Sequence, residues 1–295
     1  MIRAFRIFRD LVTTQSFTEA ARLNYLTQSA VSHHVRALEK TFRQQLVERG
    51  RGRMRLTRAG ALLFEASQEI LKRYEQLESA LKAPRGDVTG RLRVGSIYTT
   101  GLYQLPRYTT RFLTRYPKVD LLLTYLRNSE VQDAVLADRI EVGIVDAPKP
   151  HPQLTMTPFK KERVVLIVSP KHPWAAKRKI ALAKLQDQPF IVPQAEFPVD
   201  EILRGTNIRV KVAHAFDNIE ITKRAVEVGL GLALVPHITV LDEVRYGKLK
   251  FLELDEGPFE RTVGIITRKR AELSLPARKF LELLTTPDTT RSARA

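Results

Sequence analysis

The sequence predicts an α+β chain of several domains, and three observations carry that expectation. Apolar residues recur at helical spacing in three short blocks between Met1 and Gln45, an unbroken helical stretch follows from Thr57 to about Ala83, and beyond Gly90 short apolar runs alternate with helix-like segments. With 295 residues, 43% of them apolar, the chain has the material for several packed cores.

The first blocks are Phe5, Phe8, Leu11 and Val12, then Phe17, Ala20 and Ala21, then Val31, Val35 and Leu38. Ser16 or Thr18 can cap the second helix, and Thr27 can cap the third ahead of Gln28. Leu23 to Leu26 leaves room only for a tight turn, so the second and third helices form a helix-turn-helix. On the third helix Val31, Val35 and Leu38 face one way, while Gln28, Ser29, Ser32, His33 and Arg36 fall on the other face. Short hydroxyl and amide side chains on an outward face suit hydrogen bonding to base edges. The run from Val47 to Thr57 alternates Arg49, Arg51, Arg53 and Arg55 around Gly50 and Gly52, which reads as a two-stranded wing reaching phosphates or a minor groove.

The long helix carries Leu63, Ile70 and Leu77 with Tyr74 and Leu81 at heptad spacing, a seam interrupted by Ser67. Pairing with a second copy of the chain is the expectation. Pro84, Gly86 and Gly90 end the helix. Strands are then expected at Leu92 to Ile97, Val119 to Leu126, Val142 to Val145, Val164 to Val168, Phe190 to Val192, Val210 to Phe216, Leu232 to Val235, Leu249 to Leu254 and Val263 to Ile266, in a mostly parallel α/β sheet. Ligand sites in such a sheet lie beyond the carboxyl ends of strands.

Net charge is +17, and residues 1 to 60 hold 12 Lys and Arg against 4 Asp and Glu. A basic N-terminal unit points to double-stranded DNA as a partner. The uncharged Gln28, Ser29 and Ser32 argue for sequence readout, because backbone binding alone would favour Lys and Arg there. Cys is absent, which removes disulfides, thiolate metal sites and Cys nucleophiles. Arg3, Arg6 and Arg9 interrupt the first ten residues, so no export signal is expected. The longest stretch without a charged residue, Val228 to Leu241, is 14 residues and too short to span a bilayer. A soluble, cytoplasmic protein without membrane partners is therefore expected. An enzyme is disfavoured: Gly229-Leu-Gly231 lacks the third glycine of a dinucleotide fingerprint, and no G-x-S-x-G, P-loop or H-E-x-x-H motif occurs. The six His are scattered or, for His33 and His34, adjacent on a helix, so no metal site is expected.

Four segments then carry a specific likeness. Phe17-Thr-Glu-Ala-Ala-Arg22, Leu26-Thr-Gln-Ser-Ala-Val-Ser32, Val35-Arg-Ala-Leu-Glu39 and Leu56-Thr-Arg-Ala-Gly60 resemble the N-terminal signature of LysR-type transcriptional regulators. Leu105-Pro106, Phe112 with Tyr116-Pro117, Val142-Gly-Ile-Val145 and Val228-Gly-Leu-Gly-Leu-Ala-Leu-Val-Pro236 resemble the effector domain of that family. The resemblance implies a winged helix-turn-helix over 1–58, a linker and dimerisation helix with hinge over 59–90, and an α/β two-lobed domain like periplasmic binding proteins over 91–290. Its crossings between lobes would lie near 146–162 and 258–264. A homodimer assembling to a homotetramer follows from it, with RNA polymerase as a further candidate partner. An exported solute-binding protein would share the two lobes but not the Arg-rich wing.

Carried over by position, Gln28, Ser29, Ser32 and His33 would read the groove, Thr18 and Arg36 would touch the DNA backbone, and Arg51 and Arg53 would be wing contacts. His33 stands where many members have Arg, and a neutral imidazole cannot repeat the two-pronged guanidinium contact to guanine. For a small-molecule effector, the only non-protein group implied, the resemblance points to Ser96, Thr99 and Thr100 after the first strand of the domain. Hydroxyls at a helix start there suit a carboxylate, phosphate or sulfate. Gln194, Asn218 and Glu220 would face them from the other lobe, with Val145 and Asp146 at the first crossing. Glu220 would repel an anion if it pointed inward. The segment from Phe197 to Arg209 carries no match, and the polar tail from Pro287 is expected to be disordered.

Overall fold

The computed structural model describes residues 1–49, 54–82, 87–193, 203 and 208–286, in two compact units, Met1–Gly90 and Arg91–Ala295. In the first unit, α1 (Ile2–Thr14), α2 (Phe17–Leu23) and α3 (Gln28–Phe42) bury Phe5, Phe8, Leu11, Ala20, Val31, Val35 and Leu38 in one core, as their spacing requires. Ser16 caps α2, accepting from the Glu19 N–H at 3.2 Å, and Thr27 caps α3, accepting from the Ala30 N–H at 3.2 Å. Thr18 is instead an exposed residue of the first turn of α2. The turn between the helices is pinned by Asn24, whose amide donates to Asp10 on α1 and to the Ala20 carbonyl, both at 2.9 Å.

β1 (Val47–Arg49) and β2 (Met54–Leu56) pair antiparallel as the base of the wing. Glu39, at the end of α3, accepts from the backbone N–H of Leu46 at 3.0 Å and so fixes where the wing leaves the helix. α4 (Arg58–Lys82) then packs Ser67 and Leu71 toward the core, leaving Ile70, Leu77 and Leu81 exposed.

The second unit is built on a sheet of order β4-β3-β5-β12-β6-β11-β7, with β10 also paired to β6. The strands are β3 (Gly90–Ser96), β4 (Val119–Tyr125), β5 (Val142–Asp146), β6 (Leu154–Val168), β7 (Lys179–Ile180), β10 (Ala233–Pro236), β11 (Lys250–Leu254) and β12 (Phe259–Arg268). A separate parallel pair is formed by β8 (Pro189–Pro193) and β9 (Lys211–Phe216). The helices are α5 (Tyr98–Tyr103), α6 (Leu105–Arg115), α7 (Asn128–Leu136), α8 (Ile219–Glu227), α9 (Leu241–Arg245) and α10 (Leu275–Thr285).

The expectation of a mostly parallel sheet is corrected. β6 pairs antiparallel with β10, β11 and β12, and β12 pairs antiparallel with β5, so the sheet is mixed. β6 spans 15 residues, of which Val164–Val168 is the apolar end; the rest holds Lys160, Lys161, Glu162 and Arg163 and lacks the apolar run that marks a strand. β6 and β12 are the two strands that pass between lobes. Val263–Ile266 of β12 pairs with β5 in one lobe, while Val164–Val168 of β6 pairs with β10 and β11 in the other. Their mutual register shifts between Val263 and Gly264, at the crossing. One lobe packs Val131, Val135, Ile140, Val145, Leu154 and Ile266; the other packs Leu166, Leu185, Phe190, Leu234 and Leu252, with Ile167, Ile191, Val226 and Val235 on the opposite sheet face.

Candidate functional site

In the first unit, Gln28, Ser29, His33 and Arg36 are exposed and Ser32 is half-buried, all on the side of α3 opposite Val31, Val35 and Leu38. The eight helical rises from Gln28 to Arg36 extend about 12 Å along the axis, about the width of a major groove. The Ser29 hydroxyl lies 2.9 Å from that of Thr27, which gathers two hydroxyls at the helix start, where backbone N–H groups lack helical partners. His34 is half-buried, and burial, reinforced by Arg3 and His33, pushes its pKa below the usual imidazole value. Arg51 and Arg53 lie outside the described residues.

In the second unit, α5 opens directly after β3 and faces the crossing strands. Arg261 of β12 stands opposite Glu162 of β6 in the register. Its Nε donates to Glu162 Oε2 at 2.6 Å, its Nη2 donates to the Thr99 hydroxyl at 2.9 Å, and its Nη1 lies 3.6 Å from Asp146 Oδ2. Thr99, Asp146, Glu162 and Arg261 are all more than nine-tenths buried. Asp146 is held in turn by Asn128 at the start of α7, through two 2.9 Å bonds with its backbone. Thr100 is fully buried, and neither its hydroxyl nor Glu162 Oε1 has a hydrogen-bond partner among the described residues.

A second cluster ties the lobes together. Tyr103 of α5 donates its hydroxyl proton to Glu220 of α8 and accepts from Lys223 Nζ at 2.5 Å. The Lys223 ammonium is 4% exposed and also reaches Glu220 at 2.9 Å, Glu243 at 2.6 Å and the Thr239 carbonyl at 2.8 Å. Burial, with the Glu220 carboxylate beside it, raises the Tyr103 pKa well above the ordinary phenol value, so the phenol stays protonated and donates. Arg127, at the start of α7, meets Asp217 of the other lobe at 3.4 Å.

Two family models match this chain: the bacterial regulatory helix-turn-helix protein of the lysR family over residues 2–61, and the LysR substrate binding domain over residues 85–286. The chain belongs to the LysR family. It is 30% identical to a probable RuBisCO transcriptional regulator of Cyanophora paradoxa, covering 97% of this chain and 91% of that one. It is 27% identical to the HTH-type transcriptional activator CmpR of Synechocystis sp., covering 96% and 94%. In fold it is similar to full-length CbnR complexed with its target DNA, at a TM-score of 0.69, 22% identity and coverage of 96% and 98%. Full-length OxyR of Pseudomonas aeruginosa gives a TM-score of 0.72 at 22% identity, covering 96% and 93%. This LysR-family chain is thus a transcriptional regulator with a helix-turn-helix DNA-binding unit and a substrate-binding domain, and not an enzyme. Among the described residues no helix is long and apolar enough to cross a membrane.

Of the cleft residues expected from sequence, Thr99 meets the crossing strand β12 through Arg261, and Thr100 is the next, fully buried residue of α5. Asn218 caps α8, accepting from the Glu220 N–H at 2.7 Å, and Glu220 points to Tyr103 and Lys223. Ser96 is buried with its hydroxyl donating to the Ile97 carbonyl at 3.0 Å. Val145 is corrected: it packs into the lobe core with Val131, Ile140 and Ile266 instead of facing the cleft, because the alternation of β5 turns it inward. Gln194 lies outside the described residues. The helix start expected to hold an anion belongs to α5, which is only six residues long, and Thr99 there is already engaged by Arg261. Sequence reasoning missed Tyr103, Glu162, Lys223, Glu243 and Arg261. One signal was present: Lys223 lies four residues after Ile219 on the apolar face of α8, where a lysine requires buried partners.

Proposed function

We propose that this regulator reads a specific operator through α3 and that an effector seated in the lobe cleft alters how it holds DNA. The observation that carries the first part is the polar face of exposed Gln28, Ser29 and His33 with half-buried Ser32, which can bond base edges while Thr18 and Arg36 meet the backbone. Arg51 and Arg53 take wing contacts in this reading. The exposed Ile70, Leu77 and Leu81 of α4 form the seam of a homodimer in the cytoplasm, two dimers assemble to a tetramer, and RNA polymerase meets the DNA-bound form. Two recognition helices then address half-sites of an imperfect palindrome.

Thr99, Thr100, Asn218 and Glu220 belong to the effector cleft, with Asp146, Glu162 and Arg261 at its floor and the Tyr103–Glu220–Lys223 cluster joining its walls. An effector acts there only through different affinities for two lobe arrangements, and a coupling of about 1–3 kcal/mol is ordinary. Fluorescence anisotropy on a duplex enriched from a random pool, with and without fractionated small metabolites of the host, tests the effector part. At least one fraction should shift the affinity fivefold or more. If no fraction shifts it, the cleft has no such role.

A further inference from the structure

We propose that Tyr103 is a detachable latch between the two lobes and that its release changes how the regulator holds DNA. The proposal rests on the reading above, in which the lobe arrangement governs DNA binding, and names the contact that sets that arrangement.

The lobes are joined by contacts of two kinds. At the crossing, Arg261 of β12 and Glu162 of β6 are both buried and bonded at 2.6 Å, and a Cβ at Gly264 would stand 2.5 Å from Pro148 Cγ, so β12 is closely packed against the turn after β5. Parting such a pair would strand buried charge, and the crossing is therefore the pivot. Away from it the contacts are open to solvent. Tyr103 of α5 reaches Glu220 and Lys223 of α8, and Arg127 reaches Asp217 just before α8. Tyr103 is half-buried, the Glu220 side chain is 39% exposed, and those of Arg127 and Asp217 are 59% and 71% exposed. Water can take over each of these bonds as it breaks.

The surroundings of Lys223 decide which side of the contact detaches. An ammonium carries three N–H donors. Three oxygens of its own lobe already lie within 2.9 Å of Nζ: Glu243 at 2.6 Å, the Thr239 carbonyl at 2.8 Å and Glu220 at 2.9 Å. The Tyr103 oxygen, at 2.5 Å, is a fourth. When α5 withdraws, the buried charge keeps two carboxylates and a carbonyl, and only the phenol exchanges protein for water. An ammonium compensated from both lobes would instead weld them, because separation would leave it unpaired. A fixed pivot with a rim that parts at small cost is what a hinge between two lobe arrangements requires.

Hydrogen exchange of the full-length protein tests this with Tyr103→Phe, which removes both hydroxyl bonds and keeps the ring that lies 5.0 Å from Lys223 Nζ. Exchange should rise about fivefold or more at 98–104 and 217–224 and stay at the wild-type rate in the crossing strands, with a melting temperature within about 3 °C of wild type. In fluorescence anisotropy without any metabolite, affinity for the enriched duplex should change by about fivefold. Unchanged exchange in both segments would overturn the latch. So would a rise spread over the whole of 91–286 with a lower melting temperature, since Tyr103 would then be a structural staple. A local rise with unchanged DNA affinity would overturn the link to DNA binding. The effector reading is judged separately, by the metabolite titration of the wild-type protein.

Discussion

Ser32 lies on the outward side of α3 between Gln28 and Arg36, so Ser32→Ala removes one hydroxyl without touching the packed Val31 and Val35. Affinity for the enriched duplex should fall by about 1 kcal/mol, roughly fivefold, with random duplex unaffected. Competition anisotropy measures both, and equal losses would remove Ser32 from the base readers. Lys223→Met leaves Glu220 and Glu243 facing each other around Tyr103 without their shared cation, and should cost about 3 kcal/mol in denaturant unfolding. A smaller loss than Tyr103→Phe produces would mean that the ammonium is not the centre of the cluster. His237 packs edge-on against Phe251 at 4.8 Å, and burial, with Arg163 nearby, lowers its pKa. The unfolded chain takes up a proton near pH 6.5 while the native imidazole resists it, so stability should be present above that pH and fall below it. Melting temperatures between pH 7.5 and 5.5 check this, and His237→Gln should flatten the fall. The readable face of α3 was legible in the sequence because helical periodicity alone decides which side chains point outward. Arg261 and Glu162 were not, because 99 residues separate them and only the β6–β12 register brings them together.

Among the elements, the helix-turn-helix was the most legible, since Ser16, Thr27 and the blocks of buried residues are local signals. Removing either cap, as Ser16→Ala or Thr27→Ala, should cost about 1 kcal/mol each in thermal or denaturant unfolding. Thr18→Ala should cost less, since Thr18 caps no helix. β6 was legible only at its apolar end. Its charged half is a strand because β12 lies beside it, and tertiary pairing of that kind has no periodic signature. α10 escaped for a related reason: its cap Ser274 is held by Glu141, through a 3.1 Å bond to its N–H and a 3.0 Å bond from its hydroxyl, and the two are 133 residues apart. The seam of α4 was legible as a stripe, but the stripe divides: Ser67 and Leu71 face the helix-turn-helix core, and Ile70, Leu77 and Leu81 remain outside. Replacing Ile70 and Leu77 together with Glu should therefore yield monomers by analytical ultracentrifugation while leaving the melting temperature of the chain close to wild type. Persistence of dimers would place the interface elsewhere.

For the molecule as a whole, the charge of +17 and the polar reading face make opposite demands on DNA binding. Lys and Arg give affinity for any duplex, which weakens steeply as salt rises, whereas hydrogen bonds to base edges give the difference between sequences. The central claim, that this LysR-family regulator reads a defined operator as a dimer, is tested most directly by selecting bound duplexes from a random library at near-physiological salt. The account predicts enrichment of a dyad whose half-sites lie about one helical turn apart, with random duplex washed away. Retained, salt-sensitive binding without any enriched dyad, in the presence as well as the absence of pooled metabolites, would contradict it.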